Sequence, residues 1–213
     1  MTLLLPLSLS DRLAHGCCRR YSRAAEQGNA HAQFKLGSCH ELGRGMSPNA
    51  EKALHWFKQA AQLELAEAEM CVGECLSRGR GARRDEGEAA WWFERAAQRG
   101  FVPAQAALGF AYLKGNGVSC NLTMALKWLR EAAVKQDAVA QCCIGVCYAK
   151  GEGVAADLLE AIKWFVAAGQ NGCREALFNL SLTGASPATL QLKPNVSKKA
   201  ETRDREPLAI SAK

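Results

Sequence analysis

Apolar and polar positions along this chain recur at a fixed interval of 36 residues. Gly37, Gly73, Gly109 and Gly145 stand one interval apart. So do Gly43, Gly79, Gly115 and Gly151, and likewise Gly45, Gly81, Gly117 and Gly153. Trp56, Trp92, Trp128 and Trp164 keep the same step, as do Ala53, Ala89, Ala125 and Ala161. A period of this length is the mark of stacked supersecondary units, none of which can bury its apolar face alone. Within each unit, two stretches of helical periodicity are split by a Gly-x-Gly loop. Ala32, Leu36 and His40 in the first unit, and Ala104, Leu108 and Tyr112 in the third, form an i, i+4, i+8 stripe that predicts helix A.

Helix B is predicted to start after the loop at Asn49, Asp85, Asn121 and Asp157, whose side-chain oxygens suit the N-cap. Asp85 with Glu88, and Asp157 with Glu160, add capping-box spacing. Gly43 and Gly45 and their counterparts fall past a helix end, where positive φ is expected. Gly37 and its counterparts fall inside helix A, where each costs about 1 kcal/mol relative to Ala. The expected offset is close approach of helix B at Ala60, Ala96, Ala132 and Ala168, with the tryptophans filling the space between units.

Complete units are therefore placed at 30–65, 66–101, 102–137 and 138–173. Residues 1–29 are read as an N-terminal segment with a partial repeat or capping helix, since 21–29 copies the end of helix B. Residues 174–184 are read as a C-terminal capping helix, with Ser181 at the glycine position. Residues 185–213, with Pro187, Pro194 and Pro207 among polar residues, are expected to be a disordered tail. The fold expected is all-α, a right-handed α-solenoid of tandem helix-turn-helix repeats.

The third unit, AQAALGFAYLKGNGVSCNLTMALKWLREAA over 104–133, resembles the Sel-1-like repeat, a relative of the tetratricopeptide repeat. The resemblance covers roughly residues 20 to 182. It departs at His40 and Leu76 in the Tyr position, Met46 and Ala82 in the Val position, and Gly169 in place of the second Ala. What the resemblance implies is a protein-binding adaptor or scaffold; no cofactor is expected. A secreted branch of the family is implied to bridge helix A to the end of helix B by disulfides, but Ala60, Ala96 and Ala132 occupy the second half of that framework here.

Composition agrees with a folded helical chain: 48 % of residues are hydrophobic and only 7 % aromatic. The net charge is +6, and the stretch from 185 on carries six cations against three acids, so the repeats are near neutral. That argues against nucleic acid, which needs clustered cations on one face. No apolar run reaches membrane-spanning length, so no membrane insertion is expected. The opening MTLLLPLSL and the arginines that follow leave secreted or organelle-targeted forms as alternatives to a cytoplasmic one.

Ten cysteines raise a metal, redox or cysteine-hydrolase alternative. Cys71 and Cys75, and Cys143 and Cys147, share a helix face at ligand-compatible spacing. The register makes them small apolar fillers instead, because Cys39, Cys75 and Cys147 align with Ala111, and Cys71 and Cys143 with Ala107. His15, His31, His40 and His55 are all N-terminal, and Cys39 beside His40 points to a different helix face. No catalytic or metal site is expected.

Helix A lines the concave face in tetratricopeptide-like solenoids. By position that face holds His31, Phe34, Ser38 and Glu41, then Glu67, Met70, Glu74 and Arg78. The third unit contributes Ala106, Phe110, Leu113 and Lys114, and the fourth Val139, Cys142, Val146 and Lys150. A protein or peptide partner is expected at Glu74, Arg78 and the residues of units three and four. There an apolar strip edged by Lys114 and Lys150 suits an apolar segment with an acidic neighbour.

Overall fold

The structure, a computed structural model, describes residues 9–183. The readings of the first residues and of the tail from 185 on, including His15, fall wholly or largely outside the side chains it describes. Ten helices follow in order: α1 Leu9–Glu26, α2 Ala30–Leu42, α3 Ala50–Gln62, α4 Ala66–Arg78, α5 Glu86–Gln98, α6 Val102–Lys114, α7 Leu122–Val134, α8 Ala138–Lys150, α9 Leu158–Gln170 and α10 Arg174–Leu182. Among the described residues there is no strand. The helices pair as tandem repeats, A with B: α2 with α3, α4 with α5, α6 with α7, α8 with α9. They form two compact units, one ending at Phe101 and one beginning at Val102.

Each helix B starts where its cap residue stands. Asn49, Asp85, Asn121 and Asp157 accept from backbone N–H groups of the first turn at 2.8–3.1 Å. The reciprocal half of the capping box is replaced by a different bond. The backbone N–H groups of Asn49, Asp85, Asn121 and Asp157 donate to the carbonyls of His40, Leu76, Tyr112 and Tyr148 at 2.8–3.0 Å. Each loop is thus closed by helix A itself, which frees Glu88 to meet Lys58 and Trp92.

The loop glycines have two separate causes. Gly43, Gly79 and Gly151 are left-handed helix C-caps. Gly81 also has positive φ, and a Cβ there would lie 2.3 Å from the Ala50 carbonyl oxygen of the preceding repeat. One repeat therefore rests its loop directly on the backbone of the one before it, and Arg80 beside it reaches Glu41 at 3.2 Å.

The helix-interior glycines face something other than expected. A Cβ on Gly37, Gly73 or Gly145 would lie 2.5–2.7 Å from the ring of Phe57, Phe93 or Phe165, and one on Gly109 would lie 2.7 Å from Leu129 Cγ. The residue seated on the glycine is the large apolar side chain next to each tryptophan, not the Ala60 series, although those alanines are fully buried. Phe57 and Phe165 are themselves wholly enclosed, each contributing about 1.5–3 kcal/mol by burial. That exceeds the roughly 1 kcal/mol helix cost of each glycine. The tryptophans lie where repeats meet: Trp56 packs on Ala25, Ala32 and Leu36, and Trp164 on the cluster shared by the third and fourth repeats.

Helix B always ends in the same turn. The N–H groups of Asn29, Leu65, Phe101, Asp137 and Cys173 reach back five residues to Ala24, Ala60, Ala96, Ala132 and Ala168. The residue before each has positive φ: Gly28, Glu64, Gly100, Gln136 and Gly172. Two of these five left-handed positions carry a side chain, which is why the period is invisible as a row of glycines.

Candidate partner-binding surface

Of the nine residues assigned to a partner surface, Glu74 and Arg78 lie on α4 in the first unit and the other seven in the second. Arg78 is exposed at the end of α4, whereas Glu74 is buried. In the second unit, Phe110, Leu113 and Val139 are half-buried, resting on the core of Leu129, Ala132, Ala133, Cys143 and Ile144. Val146 rests in the same way on the neighbouring core of Ala161, Phe165 and Ala168. Each keeps its other side open. Cys142 is fully enclosed within that second core, where Asn179 Nδ2 meets its sulfur at 3.7 Å, so it is a packing residue with no surface to offer.

The charges differ along the strip. The Lys114 ammonium lies 5.9 Å from the Phe110 ring centroid, a cation–π distance that keeps the lysine folded over the ring. Lys150 is exposed at the end of α8, 4.0 Å from Glu152. Since α6 and α8 lie side by side, the half-open apolar residues and the two lysines belong to one helix-A face.

A recurring polar joint went unread in the sequence. Gln33, Glu69, Gln105 and Gln141 are one interval apart and buried. Gln33 and Gln141 donate to the Ala25 and Ala133 carbonyls at 3.1 and 3.2 Å. Thirty residues after three of the four, a donor returns: Arg99 to Glu69, Lys135 to Gln105 at 3.4 Å, Asn171 to Gln141 at 2.9 Å. The signal was present as a polar residue on every apolar stripe, followed in the second to fourth repeats by a donor at constant separation. In the second repeat the joint is ionic, with Glu69 between Arg95 at 3.0 Å and Arg99 at 3.3 Å. Burial pushes the Glu69 carboxyl above its usual range, and the two guanidinium groups pull against it. Arg95 in turn stacks on Trp91, which is half-exposed, and on Trp92.

The chemistry of the thiols is that of buried packing groups. None of the nine described cysteines is in a disulfide, and all but Cys120 are buried. Burial raises the Cys147 thiol to about 11, and Cys142 is raised by its hydrogen bond with Cys173 and by burial. Both stay protonated at neutral pH. Among the described residues no three His, Cys, Asp or Glu side chains gather as a ligand set, and no helix is long and apolar enough to cross a membrane.

The family model described as Sel1 repeat matches residues 21–29, 30–65, 64–101, 102–134 and 138–173. A Sel1 repeat protein from Oxalobacter formigenes is 36 % identical, with 85 % of this chain and 72 % of that one covered and a TM-score of 0.77. The c5321 protein, a protective antigen of uropathogenic Escherichia coli displaying an SLR fold, is 31 % identical over 78 % of this chain and 35 % of that one, at a TM-score of 0.73. A Sel1 repeat protein from Klebsiella pneumoniae, 20 % identical over 83 % of each chain with a TM-score of 0.57, shares the fold. No curated protein matches. With repeats matched over most of its length and a relative at 36 % identity, the chain belongs to the Sel1 repeat family.

Proposed function

We propose that this chain is an interaction scaffold that holds an apolar peptide segment with an acidic neighbour along α6 and α8. Sel1 repeat proteins are generally protein–protein interaction scaffolds, typically without enzymatic activity. The observation that carries it is the row of Phe110, Leu113, Val139 and Val146, each with one side on the core and the other open, edged by Lys114 and Lys150. Helix-A faces of this kind anchor a peptide through a few apolar side chains, and the lysines give a preference for acid beside them. A cysteine-dependent activity fits poorly at Cys142 and Cys147, because the nucleophile is a thiolate and burial keeps these two thiols neutral. With Ala60, Ala96 and Ala132 where a bridging framework would need cysteine, a reducing compartment such as the cytoplasm suits the sequence.

Selection of displayed random peptides on the full chain tests this. Enriched peptides should pair a short apolar run with Asp or Glu, and Phe110→Glu with Val146→Glu should weaken them about thirty-fold or more while far-UV helicity is kept. Peptides without acid, or binding that survives both substitutions, would rule the surface out.

A further inference from the structure

The two ends of the described chain are complementary halves of one repeat. α10 stands where a helix A stands, and among the described residues no helix B follows it. α1 stands where a helix B stands: Tyr21 and Ala24 are one interval before Phe57 and Ala60. The fourth repeat shows what these positions of a helix A meet once the stack continues. Gly145 faces the Phe165 ring of its own helix B, Cys142 meets Asn179 of the following helix A, and Ala138 and Val146 pack on the core these helices share. One interval later these positions are Arg174, Phe178, Ser181 and Leu182, and all four are exposed, Phe178 at 55 % and Leu182 at 50 %. Leu158, exposed at 53 %, extends the open area, since its counterpart Leu122 is covered by the Gly153 loop of the following repeat. On α1, Tyr21 and Ala24 are only half-buried, where Phe57, Phe165, Ala60 and Ala168 are wholly enclosed.

What covers such a face is shown four times within the molecule: a helix B with an aromatic or Leu side chain and an alanine one turn on. The segment following α10 in the sequence lacks that pattern, because Ser197, Glu201 and Asp204 stand in register with Ala161, Phe165 and Ala168. α1 has it, in Tyr21 and Ala24. We infer that α10 of one copy docks on α1 of a second copy, the two helices completing a repeat across a head-to-tail interface. The contact is weaker than an internal one, because Ser181 places a Cβ where the four internal repeats have none and the ring must sit further out. An interface between two different patches does not close on itself in a dimer, so assembly continues into open chains or a ring.

Sedimentation velocity of the full chain over a rising concentration series is the test. The average mass should climb beyond that of a dimer, and Phe178→Glu or Leu182→Glu should each weaken association about thirty-fold while helicity, and the melting temperature at dilutions where the chain is monomeric, stay unchanged. Phe178→Glu mixed with Ala24→Glu should give a one-to-one dimer and nothing larger, because each variant retains one competent end. Phe178→Glu added to the unaltered chain should shorten its assemblies by capping growth, a readout that does not depend on Ala24→Glu folding. A chain that stays monomeric throughout, a closed dimer that stops at two copies, or assembly by Phe178→Glu equal to the unaltered chain overturns the proposal.

Discussion

Leu63 stands thirty residues after Gln33, the separation at which Lys135 serves Gln105 and Asn171 serves Gln141, and it has nothing to donate. Gln33 Oε1 is accordingly buried without a hydrogen-bond partner. Leu63 is half-exposed, so little packing is lost on replacing it. Leu63→Asn should therefore stabilise the chain by about 1 kcal/mol. Thermal denaturation would show a rise of about 2–4 °C, and an unchanged or lower midpoint would refute the missing-donor account.

Gly73 and Phe93 set a second expectation. Gly→Ala inside a helix ordinarily gains about 1 kcal/mol, but here the new methyl group would meet the Phe93 ring and the Ala89 carbonyl. Gly73→Ala should instead destabilise by about 1–3 kcal/mol through overpacking. Phe93→Ala alone should cost about 3–5 kcal/mol. Combined, the two should cost less than their sum by about 1 kcal/mol, which a double-mutant cycle in urea measures.

At the end of α7, Gln136 holds φ at 63° in a turn that uses glycine at Gly28, Gly100 and Gly172. Gln136 is exposed, so its side chain contributes little there. Gln136→Gly should stabilise the protein by about 0.5–1 kcal/mol, and Gly100→Gln should destabilise it by a similar amount. Equilibrium unfolding of the pair decides it, and equal signs for both substitutions would contradict the left-handed strain.

The Glu69 carboxyl is raised from its ordinary value of 4.5, with burial the largest cause. The folded state therefore holds this proton at pH values where the unfolded chain has released it. The sign follows: relative to Glu69→Gln, the natural protein loses stability as pH rises from 4.5 through the folded-state value, and the difference levels off above it. Urea midpoints of both proteins across that range should converge towards acid and separate towards neutrality. Parallel curves would show that Arg95 and Arg99 fully offset the burial.

The fold was legible because its signals are single residues whose chemistry is local. Asn49, Asp85, Asn121 and Asp157 cap helices for reasons contained within three residues, and Gly43, Gly79 and Gly151 end them. What lay opposite Gly37 was not legible, since periodicity places Phe57 and Ala60 on the same side of helix B and cannot say which one reaches the glycine. The joints at Gln33 and Gln141 were hidden because one partner is a backbone carbonyl. At the proposed partner surface, spacing placed the residues on helix A but not their depth, so Cys142 and Glu74 were grouped with Phe110 and Val146 although both are buried. Depth depends on the helix that packs above a position, which is information from another repeat.

The loop that rests Gly81 on the Ala50 carbonyl, and the bond from Asp85 N–H to the Leu76 carbonyl, bind the same few residues at two points. A single-residue insertion there would have to break one closure or the other. Removing or adding a whole 36-residue unit leaves both closures intact, whereas one extra residue in the loop strains them at once. The strict 36-residue ruler is in this sense set by loop geometry rather than by any one side chain.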